Sequence, residues 1–148
     1  TELIHMMDAA NNLESAADII ETNLVTLGLN RVEQGLVVSP ETREVLEALH
    51  AKVLEGLDEA MQALDARDSS AIRNAERLKT EISQLELDAA AHQAQRLMAD
   101  APDRVATYRF EIDVIANLKR VHYFSTRTAR ASAPRHESQV KFGVAPGP

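Results

Sequence analysis

The stretch Asp8-Ala9-Ala10-Asn11-Asn12-Leu13-Glu14-Ser15-Ala16-Ala17-Asp18-Ile19-Ile20-Glu21 carries the pattern from which the fold follows. With its flanks it sets Leu3, Met6, Ala10, Leu13, Ala17, Ile20, Leu24 and Leu27 at alternating spacings of three and four. That alternation is the a/d seam of a helix packed in a bundle. Beside the seam, Asn11, Glu14, Asp18 and Glu21 form a second line at helical spacing. Charge at the edge of a core is expensive unless it is paired or holds a metal. Glu14 and Asp18, four apart on one face, would repel each other without a cation between them. Pairing with Lys or Arg of a neighbouring helix is the expected answer. A divalent metal held by Glu14, Asp18 and Glu21 is the alternative, although no Glu-x-x-His accompanies them as in di-metal bundles. The expected cofactor is therefore none.

Working outward, the first helix spans about Glu2 to Leu27 and is expected to stop at Gly28, a C-terminal capping residue. A loop with Gly35 follows. Ser39-Pro40-Glu41 then reads as an N-cap, a proline in the first helical position and an acid in the first turn. The second helix presents Leu46, Leu49, Val53, Leu57, Ala60, Met61 and Leu64 on one face. Gly56 inside it costs about 1 kcal/mol in helix propensity. Asp68 or Ser69 caps a third helix with Ile72, Ala75, Leu78, Ile82, Leu85, Ala89 and His92 inward, ending near Asp100 ahead of Pro102. The fourth helix begins near Asp103 and is expected to bury Val105, Tyr108, Ile112, Ile115, Leu118 and His122 up to Pro134. Four long helices with short connections predict an all-α, antiparallel up-down four-helix bundle over residues 1–132. Residues 133–148 have no periodicity and read as a flexible C-terminal tail.

Composition agrees with helices: 148 residues with 3% aromatics, no tryptophan and no cysteine. Disulfides, thiolate metal sites and cysteine nucleophiles are excluded. No apolar run is long enough to cross a membrane. The net charge of −7 argues against nucleic acid. It is uneven: residues 1–100 hold 8 Lys and Arg against 19 Asp and Glu, and residues 101–148 hold 8 against 4. Lys119, Arg120, Arg127 and Arg130 make the last helix basic. They form a solvated face or a docking surface for an acidic partner or anionic membrane. No nucleophile with a suitable base, no G-x-G-x-x-G and no P-loop is present, so no enzyme activity is expected. His92 and His122, on apolar stripes, read as core histidines, with His5 and His50 at edges.

Asp8, Asn12 and Leu13 recur 105 positions on as Asp113, Asn117 and Leu118. A three-helix unit whose last helix carries a short motif resembles the PhoU family, built from two such repeats. Asn12-Leu13-Glu14-Ser15-Ala16-Ala17-Asp18 is similar to that family's Glu-x-x-x-Asp helix, departing at Asn12, Ser15 and Ala17. Glu111-Ile112-Asp113-Val114-Ile115-Ala116-Asn117-Leu118-Lys119-Arg120-Val121 resembles the Lys-Arg helix of PhoU-like domains appended to bacterial Na⁺/phosphate cotransporters. The resemblance implies the last helix of one repeat plus a complete second repeat. It also implies a cytoplasmic regulatory domain of a protein anchored in the bacterial inner membrane, with the transporter region of the same chain as partner. Thr1, met mid-pattern, is read as a fragment boundary. Lys119 and Tyr123 stand where the second repeat would carry its acids, so that repeat cannot bind metal as the family does. Lys119 or Arg120 is expected to pair with acids on the first helix. Homo-oligomerisation is compatible with this reading. A carboxylate metalloprotein, or a free-standing helical interaction or scaffold domain, is the alternative.

Overall fold

The computed structural model describes residues 2–66, 70–97 and 103–132. The expected cap at Asp68 or Ser69, the stop before Pro102 and the tail from 133 lie outside them. So does the side chain of Ile72. Every described element is helical: α1 (Glu2–Asp18), a π-helical segment (Ile19–Leu24), α2 (Val25–Glu33), α3 (Pro40–Ala66), α4 (Ser70–Leu97) and α5 (Arg104–Ser132).

The first three of these make one continuous helix. It does not stop at Gly28, which is exposed and has open space where a Cβ would lie. The stop comes one glycine later. Gly35 adopts φ 62°, its N–H donates to Val32 O, and the Leu36 N–H donates to Arg31 O. That pair of bonds is a Schellman cap. At Gly28 the flanking residues keep helical periodicity, so nothing outweighs propagation. The expected start of α3 is as read: Pro40 opens the helix and Ser39 Oγ accepts the Thr42 N–H at 3.2 Å.

The inward face of α1 is one residue away from the expected seam. Ala9, Asn12, Ala16 and Ile19 are buried, while Leu3, Met6, Ala10, Ala17 and Ile20 are exposed and Leu13 is half-buried. Small residues let α1 approach α5 closely, and that close contact outweighs burying the larger Leu and Met side chains. The π segment then widens the helix by one residue. At its end and beyond, Leu24 and Leu27 of the expected seam are both half-buried.

α3, α4 and α5 pack against one another, whereas the first helix brings its backbone close to α5 alone. Their directions follow from paired side chains. Lys52 meets Glu81 and Glu55 meets Arg77, so α3 and α4 are antiparallel. Arg96 meets Glu111 and Glu86 meets Lys119, so α4 and α5 are antiparallel. Gly56 faces His122, and Ala60 and Ala63 cluster with Ala129, so α3 and α5 are parallel. Asn23 Nδ2 donates to Asn117 Oδ1 at 2.8 Å where the first helix crosses α5. The core joins Ala16 and Ile19 to Leu49, Val53, Ile82, Ala89, Ile115, Leu118 and Val121.

α5 is the central helix, and its buried face is more polar than expected. Thr107, Glu111, Ile115, Leu118, Val121, His122, Ser125, Thr128 and Ala129 are buried. Val105 and Ile112 are exposed, Tyr108 is half-buried, and on α3 Met61 is exposed. Ser125, Thr128 and Ser132 satisfy their hydroxyls on the carbonyls of Val121, Phe124 and Thr128. These bonds within the helix let small polar residues sit in a dry seam. No described helix is long and apolar enough to cross a membrane.

Candidate functional site

The acidic stripe faces solvent. Glu14, Asp18, Glu21 and Asn11 are all exposed, because the seam of α1 lies one residue away from the expected one. Among the described residues none of the three acids pairs with a Lys or Arg. No group of three or more His, Asp or Glu placed to hold a metal occurs among them either. Water solvates these carboxylates, so the burial argument for a bound cation does not apply to them.

The basic residues of α5 are also exposed, and two have local partners. Lys119 Nζ pairs with Glu86 Oε1 of α4 at 2.6 Å, not with an acid of the first helix. α4, not α1, flanks that side of α5. Arg127 Nη1 donates to Tyr123 Oη at 3.1 Å, and its guanidinium lies 5.7 Å from the ring centroid. Arg120 and Arg130 are exposed.

The charge that is buried was not singled out by its spacing. Glu111 is 2% exposed where α3, α4 and α5 meet. Its Oε1 accepts from Arg96 Nη1 at 3.0 Å and its Oε2 from Gln93 Nε2 at 3.4 Å. Arg96 Nη1 also donates to Thr42 Oγ1, which lies 3.3 Å from His92 Nε2. The half-exposed Arg96 thus links a dry carboxylate to the surface. A glutamate among Val, Ile and Leu positions was the available sign, at position 111 on the Thr107–Ile115 face of α5.

His122 is the second buried titratable group, 6% exposed. Its Nδ1 has no hydrogen-bond partner among the described residues, and its Nε2 lies 3.5 Å from Thr126 Oγ1. A Cβ on Gly56 would lie 3.0 Å from that Nδ1 and 3.5 Å from Cε1. The glycine therefore has a packing role: it makes room for the imidazole. Burial, with a smaller contribution from Lys79, holds the His122 pKa below its ordinary value. The expectation of a core histidine is met here, while His92 is half-buried and bonded at the surface end of the Glu111 network.

On the α3–α4 face, Lys52 and Arg77 each bridge Glu55 and Glu81, with four N–O distances of 2.6–2.9 Å. Hydrogen bonds from Arg77 and Lys52 hold the Glu55 carboxyl below the usual range. Bonds from Lys52 and Arg77 do the same for Glu81.

One concavity among the described residues was not foreseen. A cleft of about 870 Å³ opens where the Schellman turn after α2 meets the start of α5. Arg31, Arg104 and Arg109 line it with Leu36, Phe110 and two acids, Asp103 and Asp113. Arg31 lies more than seventy residues from Arg104 and Arg109, so no local motif marks the set.

No family model, curated protein or solved structure matches the chain.

Proposed function

We propose that this chain is a non-catalytic regulatory helical domain, PhoU-like in plan, that acts on a sodium/phosphate transporter region. The observation that supports it most is the relation between the first helix and α5. Asn12 Nδ2 donates to Asp8 O at 2.7 Å, and Asn117 Nδ2 donates to Asp113 O at 2.8 Å. The Asp-x-x-x-Asn echo at a shift of 105 residues therefore repeats a bond as well as letters. The two helices cross antiparallel at the Asn23–Asn117 bond. α3, α4 and α5, packed mutually, then supply the complete repeat, and the first helix the end of another.

In this reading regulation works through helix contacts, with Arg120, Arg127 and Arg130 as the docking end of α5. Attraction to an anionic surface contributes about 1 kcal/mol per Lys or Arg. The test is a transport assay. Arg127→Glu with Arg130→Glu in the gene that encodes this chain should alter sodium-dependent phosphate uptake while circular dichroism stays unchanged. Deletion of residues 1–148 with no effect on uptake or its regulation overturns the reading.

A further inference from the structure

We infer that the cleft at the end of the bundle binds the phosphate group of a small organic phosphoester, through Arg31, Arg104 and Arg109. Three guanidiniums from two separate helices line one concavity, in a chain whose net charge is −7. The three guanidiniums outnumber the two carboxylates of the lining, Asp103 and Asp113, so the cleft keeps a net positive charge that favours an anion. Arg31 spends its Nε–H on the Leu36 carbonyl at 3.3 Å, which fixes the guanidinium and leaves its outer nitrogens for a ligand. Neither Arg31 nor Arg109 pairs with a carboxylate among the described residues. Guanidinium forks match the geometry of phosphate oxygens and bind them bidentately.

The rest of the lining gives the class of ligand. At about 870 Å³ the cleft far exceeds an inorganic ion and falls in the range of organic ligand sites. Phe110 and Leu36 offer apolar surface to a carbon skeleton. Asp103 and Asp113 repel a second anionic group and accept from ligand hydroxyls. A phosphomonoester with a ring and hydroxyls satisfies all of these. The inference stands on the cleft and does not depend on the transporter reading.

The test is a nuclear magnetic resonance titration of the intact chain near neutral pH with adenosine 5′-monophosphate, adenosine and inorganic phosphate. We expect saturable shifts at Gly35, Leu36 and Arg104 to Phe110 with the monophosphate, and binding about tenfold or more weaker for adenosine, which lacks the phosphate. Arg109→Gln, at an exposed position, should weaken the monophosphate about tenfold. Arg31→Gln should act alike, and Arg109→Gln keeps the test valid if loss of the Arg31 bond disturbs the turn. Vesicles of phosphatidylcholine with about one fifth phosphatidic acid form the lipid arm. Their capture, lost in Arg109→Gln, would assign the same phosphate chemistry to a headgroup. Equal binding of adenosine, binding that survives both variants, or no saturable binding to any of these probes overturns the inference. Shifts centred on Arg120, Arg127 and Arg130 would overturn it too, since they report general basicity.

Discussion

Gly56 and His122 are coupled by a distance: a Cβ on the glycine would stand 3.0 Å from the imidazole Nδ1. Gly56→Ala gains about 1 kcal/mol of helix propensity but overpacks a dry site, which costs about 1–3 kcal/mol. The expected outcome is net destabilisation in urea unfolding. In a His122→Ala background the same substitution should turn neutral or stabilising; destabilisation of equal size there would show that the ring is not the obstacle. Glu111 calls for a different comparison. Arg96→Met strands a buried carboxylate and should cost about 3–5 kcal/mol. Glu111→Leu leaves Arg96, which reaches water, and should cost clearly less. Equal losses for the two variants would mean that Glu111 reaches water by another route. Neither residue was legible as special. Gly56 read as a helix defect and Glu111 only as the first residue of a family-like stretch, because the importance of each comes from what lies across the interface.

At the scale of elements, the first helix separates local from non-local control. Gly28 lies mid-helix in open space, so Gly28→Ala should stabilise the chain by about 0.5–1 kcal/mol. Gly35, at φ 62°, should respond oppositely, since alanine is strained there. A thermal melt of the two variants separates them, and the reverse order would place the cap at Gly28. Leu118 is buried in the core, so Leu118→Ala should cost about 2–5 kcal/mol. Leu13 is only half-buried, and Leu13→Ala should cost less than Leu118→Ala. The a/d pattern located the helix, but not its inward face before the π segment. An Ala-rich helix offers adjacent seams of similar hydrophobicity, and the closeness of α5 chooses between them.

The whole molecule reports its buried histidine through pH. The His122 pKa is lowered by burial from its ordinary 6.5, so the unfolded chain binds more protons than the folded one just below that value. Stability then rises with pH. It is undiminished above about pH 6.5 and falls as acid takes the pH below that value toward the folded pKa. His122→Gln should flatten this limb, whether or not it shifts the baseline. Glu55 and Glu81, also lowered, act in a separate window: their contribution is present above about 4.5 and is lost as pH falls below it. An acid limb below about 6.5 that persists in His122→Gln would assign the linkage to another group.

Local chemistry determined the helices themselves. Periodicity marks each one, Ser39-Pro40-Glu41 starts α3, and His122 lies on a stripe that must go inside. The echo of Asp8 and Asn12 in Asp113 and Asn117 was likewise visible as letters before it was visible as matching bonds. These are properties of residues within a turn or two of each other, so a linear reading reaches them. Only the tertiary structure decided which side of α1 meets α5, which acids Lys119 and Arg96 pair with, and that among the described helices the backbone of the first comes close to α5. It alone brought Arg31 beside Arg104 and Arg109 in one cleft. Those outcomes depend on close approach between helices distant in sequence. Small residues, one π turn and one glycine cap set that approach, and the hydrophobic pattern of any single helix is nearly indifferent to it.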